Sequence, residues 1–404
     1  MTTFSLDPGQ SAWCAELRAL AAERLRPLAE KGEPGHVNRP LVEALGELGL
    51  LDRLFEEPGG RGGAGRATSG ALGLCLMRES LAYACTEAET ALALQGLGAH
   101  PVHAYGSAAQ RARWLPEARA GRAVAAFALS EPGAGSDAAA LSLAAEPDGS
   151  EGWRLTGEKR WISNAPEADF YTVFARTSPD AGARGVTAFL VPADRAGLTG
   201  TALDMLSPHP IGALAFDGVR VGRDDVLGET DRGFRVAMTT LNRFRPSVGA
   251  FAVGMAAAAL DASLAHTAER DAFGGKLKDL QSVAHQIAEM ATRTEAARLM
   301  VYAAAAAYDE QGAEAVEGAE AARGPGIARR AAMAKLLATE TAQYVVDAAV
   351  QLHGARALQR GHLLEHLYRE VRAPRIYEGA SEIQRTIIAK ELYSAQTSEK
   401  EPPA

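Results

Sequence analysis

Apolar residues recur every three or four positions in the first and last thirds of the chain. Near the N-terminus this spacing runs from Leu17 to Leu28, and an alanine-rich stripe with the same spacing runs from Ala331 to Ala338. Such a repeat places the apolar residues on one face of an α-helix. We therefore predict an N-terminal all-helical domain at residues 1–122 and a C-terminal four-helix bundle domain at residues 233–404.

The middle third of the chain has a different pattern. Short runs of β-branched, aromatic and alanine residues are separated there by turn sequences such as Pro147-Asp148-Gly149. Closely spaced strands without helices between them indicate an antiparallel barrel or sandwich. We predict a central β domain at residues 123–232 and an α+β fold for the whole chain. The glycine-rich stretch at residues 56–65 is predicted to be a loop, and the one at residues 310–326 a loop or a frayed helix end.

Composition excludes several classes of function. The 404 residues are 47% apolar, enough for two or three packed units, and the net charge of −8 without any long Lys/Arg run argues against nucleic acid as a partner. The apolar stretch Val248–Leu260 is shorter than the roughly 20 residues of a membrane span. The N-terminus lacks the features of a secretory signal, and Cys14, Cys75 and Cys85 form no C-x-x-C pair. We expect a cytoplasmic protein with free thiols and no membrane segment.

Two long sequence blocks carry the strongest functional signal. The first is LSEPGAGSD at residues 129–137, the second is RIYEGASEIQR at residues 375–385, and RDAFG at residues 270–274 lies between them. In this order they resemble the acyl-CoA dehydrogenase family of FAD-dependent flavoproteins, and the similarity runs from about Leu41 to Leu392. The resemblance implies the same helical, strand, helical architecture and FAD as the cofactor.

The resemblance implies that Glu378 is the catalytic base. Dehydrogenation of an acyl thioester needs a carboxylate to remove the α-proton and flavin N5 to accept the β-hydride. In the family, the amide N–H of this glutamate and a flavin ribityl hydroxyl bond the thioester oxygen, and Gly379 lets the backbone pass close to substrate. Some members carry the base at the position of Phe244, which cannot accept a proton. Arg245, Tyr377 and Gly379 are expected to contact the substrate.

The resemblance also assigns residues to FAD. Ser130 is expected to bond the pyrimidine side of the flavin, Trp161 to shield the ring, and Ser163 to bond its edge. Ser136 is expected to contact both the pyrophosphate and the substrate. Arg270 is expected to reach the pyrophosphate of a neighbouring subunit, since a guanidinium group pairs two phosphate oxygens at once. The predicted FAD contacts are Phe127, Leu129, Ser130, Gly135, Ser136, Trp161, Ser163, Arg270, Phe273, Gln281, Gln351 and Gly354.

The same resemblance predicts the partners of the protein. We expect an acyl-CoA or acyl carrier protein substrate, an electron-transfer flavoprotein or oxygen as electron acceptor, and a homotetramer built as a dimer of dimers. Three features depart from the family pattern. Residues 354–357, Gly-Ala-Arg-Ala, replace a Gly-Gly-x-Gly run; Ala272 and Ala380 remove two polar contacts to FAD; and Pro208 and Pro210 stiffen a loop near the substrate entrance. The last feature puts a straight-chain CoA substrate in doubt.

Two alternative functions remain open. Relatives of this fold act as flavin-dependent monooxygenases, and a flavin-binding scaffold without turnover is also possible. A carboxylate retained at position 378 favours dehydrogenation over both, because neither alternative needs an α-proton base. His362 and His366 have a metal-compatible spacing, but the sequence offers no third ligand, so no metal site is predicted.

Overall fold

The computed structural model describes residues 6–55, 70–149, 152–314 and 326–398. The loop predicted at residues 56–65 lies outside the described residues, as does most of the loop predicted at residues 310–326. The helices are α1 (Pro8–Leu20), α2 (Arg26–Ala29), α3 (Arg39–Glu47), α4 (Gly70–Ala84), α5 (Thr86–Tyr105), α6 (Ala108–Arg119), α7 (Gly233–Glu269), α8 (Gln281–Glu314), α9 (Ile327–His353), α10 (Leu363–Glu370) and α11 (Ser381–Ser398). The strands are β1 (Ala125–Ala128), β2 (Ala144–Pro147), β3 (Gly152–Ser163), β4 (Phe170–Arg176), β5 (Val186–Pro192), β6 (Leu198–Ala202), β7 (Ile211–Gly222), β8 (Asp271–Ala272) and β9 (Gly275–Lys276).

The predicted order of helices, strands and helices is confirmed. The chain forms two compact units. The helical unit is drawn from Met1–Ala22, Glu57–Thr86 and Asn242–Ala404, and the sheet unit from Glu23–Glu56 and Glu87–Leu241. The division into three domains with boundaries at residues 122 and 232 stays a prediction.

The helical unit has an alanine-rich core formed by α4, α7, α8, α9 and α10. Its buried residues include Ala252 of α7, Ala297 of α8 and Ala338 of α9. At Gly254 of α7 an added Cβ would lie 2.4 Å from the carbonyl oxygen of Glu79 in α4, so these two helices can meet only at a glycine. This close packing fixes α4, α7 and α9. Each of these helices contributes one cation that acts on the carboxyl group of Glu378: Arg78, Arg245 and Lys335.

Helix α7 is long and apolar enough to cross a membrane by length and composition alone. However, 72% of its most apolar window is buried inside the protein. A helix that is apolar on all sides and covered by other elements is typical of a protein core.

The sheet unit contains a seven-stranded sheet in the order β1-β4-β2-β3-β7-β6, with β5 paired to β4. Most pairs are antiparallel, as predicted. Two are parallel, β1 with β4 and β2 with β4 at a single position. β1 and β4 point the same way because the chain passes through β2 and β3 before it returns. Both β4 and β5 are apolar and buried along most of their length.

Helix α5 fixes the position of β1. The side-chain amide of Gln95 donates to the carbonyl oxygens of Ala118 and Ala123, at 2.9 and 2.6 Å, and its oxygen accepts from the N–H of Ala125 at 2.9 Å. An added Cβ at Gly98 would lie 2.6 Å from the nitrogen of Ala126. The end of β1, which leads into the LSEPGAGSD block, therefore has a defined place.

Candidate active site

The two segments assigned to FAD in the sheet unit lie side by side. The N–H of Arg160 donates to the carbonyl oxygen of Ser130 at 3.0 Å. The side-chain amide of Asn164 donates to the carbonyl oxygen of Ala125 at 2.8 Å. These bonds join the end of β1 to the end of β3, and they bring Ser130 next to the segment that carries Trp161.

A buried ion pair joins the same two segments. Lys159 Nζ lies 2.7 Å from Glu131 Oε1 and 3.0 Å from the carbonyl oxygen of Leu129, and both charged side chains are almost fully buried. Burial lowers the pKa of Lys159 to about 8, although Glu131 opposes this effect. Burial alone would raise the pKa of Glu131, but Lys159 and the N–H groups of Ser142 and Leu143 outweigh it, so this pKa is lowered. Both groups therefore remain charged at neutral pH.

Trp161 has an unusual backbone conformation for a bulky residue in a strand. Its φ angle is 58°, in the left-handed region, and 47% of its surface is exposed. Asn164 also has a positive φ, of 64°, and its N–H donates to the carbonyl oxygen of Pro210 at 2.8 Å. Strained conformations of this kind cluster at ligand sites. The loop that carries Pro210 therefore supports the segment after Trp161 through its backbone carbonyl.

Among the residues assigned to the flavin ring, Phe127, Ser130, Trp161 and Ser163 are at least partly exposed, whereas Leu129 is buried. Trp161 offers an exposed aromatic face. In the following loop, no described heavy atom lies within 4 Å of a Cβ added to Gly133 or Gly135. An open glycine loop allows anionic phosphates to approach backbone N–H groups. These residues would hold FAD with the ring at Trp161 and the phosphates near Gly135 and the exposed Ser136.

In the helical unit, Glu378 stands on a strained turn. Its φ angle is 50°, and that of Gly379 is 90°. A Cβ added to Gly379 would lie 2.6 Å from Gln384 Nε2. The turn therefore requires glycine at position 379 both for its backbone angle and for the space beside it.

The carboxyl group of Glu378 points into the protein although the residue is only half-buried overall. Its Oε2 atom is shielded from solvent and has no hydrogen-bond partner among the described residues. Burial raises the pKa of this carboxyl group, while Arg78, Arg245 and Lys335 act in the opposite direction. A carboxylate with a raised pKa and an unused acceptor atom is suited to accept a proton.

Both flanks of the Glu378 turn are tied to one residue of α9. Glu340 accepts hydrogen bonds from Arg375 Nε at 3.0 Å and from Ser381 Oγ at 2.6 Å. Arg375 Nη2 lies 2.9 Å from the other carboxylate oxygen. The bidentate pair and the serine bond therefore fix the residues before and after Glu378 on the same helix.

Three predicted substrate contacts, Arg245, Tyr377 and Gly379, lie in the same unit as Glu378. Arg245 is buried, donates from Nη1 to Asn242 Oδ1 at 2.7 Å, and is electrostatically coupled to Glu378. Tyr377 is partly exposed. The third predicted contact, Gly379, directly follows the base. Ser136, also expected to touch substrate, belongs to the sheet unit.

The residues expected to serve a neighbouring subunit's FAD form a second group in the helical unit. The rings of His266 and His353 stack at 4.1 Å, and the N–H of Arg270 donates to the carbonyl oxygen of His266. This stack joins the Arg270 segment to the segment of Gln351 and Gly354, where Gly354 has a φ of 62°. Burial lowers the pKa of both histidines, and at His266 the nearby Arg356 and Arg270 add to this effect.

The β8–β9 hairpin completes this second group. Phe273 has a φ angle of 54° and is 91% exposed, and the side chain of Gln281 is exposed at the first residue of α8. An aromatic ring held outward by a strained turn is typical of a surface that another molecule covers.

The two histidines with metal-compatible spacing have other contacts. His362 Nδ1 accepts from the N–H of Leu364 at the start of α10, and His366 Nε2 lies 2.6 Å from Thr86 Oγ1. Within the described residues, no cluster of three or more histidine, cysteine or acidic side chains could hold a metal ion.

Several important residues were missed at the level of sequence. Glu131 lies in the first quoted block but had no assigned role, and Arg78, Lys159, Lys335 and Glu340 were not considered. For Lys335 a signal existed, because this charge interrupts the apolar stripe of α9 and is fully buried. A charged residue on a buried helical face indicates a specific partner.

Comparison with known proteins specifies the class. Residues 7–122, 126–219 and 231–393 match the N-terminal, middle and C-terminal domains of acyl-CoA dehydrogenase. The chain belongs to the acyl-CoA dehydrogenase family, and it is an oxidoreductase that acts on CH–CH groups.

Individual relatives are similar along nearly their whole length. The probable acyl-CoA dehydrogenase FadE25 of Mycobacterium tuberculosis is 35% identical over 394 residues, 96% of each protein. The structure of butyryl-CoA dehydrogenase from Megasphaera elsdenii has a TM-score of 0.86 and 30% identity, over 97% of this chain and 100% of the other. A chain from the structural work on the electron transferring flavoprotein of Acidaminococcus fermentans has a TM-score of 0.84 and 30% identity, over 97% and 99%.

Proposed function

We propose that the protein removes two hydrogens from the α and β carbons of an acyl thioester, with Glu378 as the base and FAD as the acceptor. The observation that carries this proposal is the buried, unbonded Oε2 of Glu378 on a strained turn. Family membership supports the reaction class. The residue that performs the proton transfer is our assignment.

The residues of the chain perform the proton transfer in defined roles. Glu378 takes the α-proton, and burial of its carboxyl group favours the protonated form that results. Arg78, Arg245 and Lys335 oppose the effect of burial on the pKa and so favour the ionised carboxylate, which is the form that accepts a proton. Gly379 lets the backbone of the turn adopt a positive φ angle directly after the base. When bound, FAD supplies the two-electron acceptor for the β-hydride.

We also propose the partners of the reaction. The substrate is an acyl-CoA, or an acyl group on a carrier protein, which presents the same thioester arm. The electron acceptor is an electron-transfer flavoprotein; one similar solved chain comes from work on such a protein. The assembly is a homo-oligomer, a dimer of dimers, because the Arg270 group is suited to a neighbour's FAD. The proposed location is the cytoplasm.

An anaerobic titration tests the reaction and the base together. Saturated acyl-CoA thioesters, including butyryl-CoA, and acyl-carrier thioesters are added to the purified yellow protein, and the flavin absorbance is followed. We expect bleaching in the wild type and a rate at least about 100-fold lower in Glu378→Gln. Glu382→Gln is the matched control, because Glu382 is an exposed carboxylate of the same segment and its loss should have little effect.

Two results would contradict the proposal. If Glu378→Gln bleached as fast as the wild type, another group would be the base. If only NAD(P)H bleached the flavin and oxygen then gave a hydroxylated product, the protein would be a monooxygenase of the same fold.

A further inference from the structure

A buried lysine of α9 holds the turn that carries Glu378, and the proton transfer proposed for Glu378 does not by itself require this lysine. Lys335 lies in α9, has no exposed surface, and donates from Nζ to the carbonyl oxygen of Gly379 at 2.7 Å. Burial of a lysine ammonium group is unfavourable. Its retention inside a stripe of alanines therefore indicates a specific task for this charge.

The bond from Lys335 acts on the strained part of the turn. The carbonyl of Gly379 follows directly after two residues with positive φ angles, 50° at Glu378 and 90° at Gly379. Gln384 Nε2 donates to the same oxygen at 2.7 Å and to the carbonyl oxygen of Glu378 at 3.2 Å. Two donors fix the peptide after Gly379, and Gln384 also holds the peptide after Glu378. A strained conformation needs such support.

Lys335 also acts on Glu378 through its charge. The cations that face the carboxyl group come from three helices: Arg78 from α4, Arg245 from α7 and Lys335 from α9. Lys335 itself is faced by Glu378, Arg245, Glu340 and Glu382. Burial lowers the pKa of Lys335 to about 8, although Glu378 opposes this, so the ammonium group remains mainly charged at pH 7.

We propose that Lys335 is a positioning residue for the dehydrogenation: it holds the Gly379 carbonyl, and through it the strained turn that aims the Glu378 carboxylate. The proposal rests on the proposed role of Glu378 as the base. The donor group and the charge of Lys335 make separate contributions. The hydrogen bond sets the direction of the carboxylate, and the charge favours its ionised form.

Two substitutions separate these contributions. Lys335→Met removes both the donor and the charge at nearly the same length, whereas Lys335→Gln removes the charge and keeps an N–H donor. Thr339→Val is the matched control, because Thr339 is buried on the next turn of α9 and its hydroxyl donates to the backbone carbonyls of Lys335 and Leu336 in the same helix. If Lys335→Met does not fold, Lys335→Gln carries the test alone.

The first measurement is an infrared difference titration of the Glu378 carboxyl stretch, assigned by its loss in Glu378→Gln. It needs no substrate, so it reports on Lys335 even if Glu378 is not the base. We expect the pKa of Glu378 to rise in both Lys335 variants, because a cation that favours its ionised form is lost, and to stay unchanged in Thr339→Val. The second is the anaerobic rate of flavin reduction by butyryl-CoA, which should fall at least about tenfold in Lys335→Met and less in Lys335→Gln.

If Lys335 only stabilised the fold, its substitution would give a different result from the one expected above. If both Lys335 variants lowered thermal stability but left the Glu378 titration unchanged, the proposal would be wrong. The same conclusion follows if Thr339→Val shifted the titration as much as Lys335→Gln. A shift of the titration with flavin reduction unaffected by Glu378→Gln would instead refute the proposed base and leave the electrostatic coupling intact.

Discussion

Lys159 Nζ and Glu131 Oε1 form a 2.7 Å ion pair that has almost no contact with solvent. The pair connects the end of β1 to β3, the two segments whose residues are assigned to FAD. Breaking a buried pair by removing one partner leaves an uncompensated charge, which costs about 3 kcal/mol or more. We expect Lys159→Met to lower the unfolding temperature and to reduce the ratio of bound flavin to protein. Thermal unfolding and the absorbance ratio after gel filtration measure the two effects.

Two further variants show whether the predicted loss of stability in Lys159→Met comes from leaving a buried charge unpaired. Lys159→Met combined with Glu131→Gln should recover part of the stability, since no unpaired charge remains. Arg154→Met removes an exposed cation from the same strand, which pairs with Asp148 at 3.2 Å, and should change little. Equal losses in Arg154→Met and Lys159→Met would contradict the interpretation.

The pH dependence of stability should report the same pair. The pKa of Glu131 is lowered in the folded protein, from an ordinary value of 4.5. The unfolded chain then binds more protons below that value, so the stabilisation is present above about pH 4.5 and is lost as the pH falls through the folded pKa. Unfolding followed from about pH 3 to 7 should show a steeper acid loss in the wild type than in the Lys159→Met, Glu131→Gln double variant. Parallel curves would exclude this contribution.

The sequence predicted the architecture well because helical and strand periodicities are local signals. It also singled out Glu378 and Ser130 as candidates, because these residues lie in long blocks that resemble a family, and their roles stay predictions. It could not identify Lys335 or Glu340 as supports of the Glu378 turn, since each contacts residues that lie 35 to 44 positions further along the chain. The parallel pairing of β1 with β4 was missed for the same reason: pairing between distant strands leaves no local pattern.

Gly379 offers a test of the turn itself. We expect Gly379→Ala to reduce the anaerobic rate of flavin reduction at least about tenfold, because the new Cβ would lie 2.6 Å from Gln384 Nε2 and displace a donor that fixes the turn. Gly361→Ala is the control, since Gly361 has a similar φ of 87° but open space around it. Both variants place an alanine in the left-handed region of backbone angles, which is unfavourable for any residue with a Cβ. Only Gly379→Ala should also lose activity. Equal rates of flavin reduction in Gly379→Ala and Gly361→Ala would show that the Glu378 turn tolerates displacement of the Gln384 side chain.

Arg270 tests the role assigned to the second group of residues. If it binds the pyrophosphate of a neighbour's FAD, Arg270→Met should release flavin on dilution at least about tenfold more readily, because a guanidinium–phosphate contact is lost. Lys276→Met is the matched control, since it removes the same charge from the same hairpin but contacts Asp271 and the carbonyl oxygen of Glu269. Flavin retention is measured by fluorescence, and oligomeric state by light scattering. A monomer that retains flavin in Arg270→Met would refute the assignment, whereas flavin loss from an intact oligomer would support it.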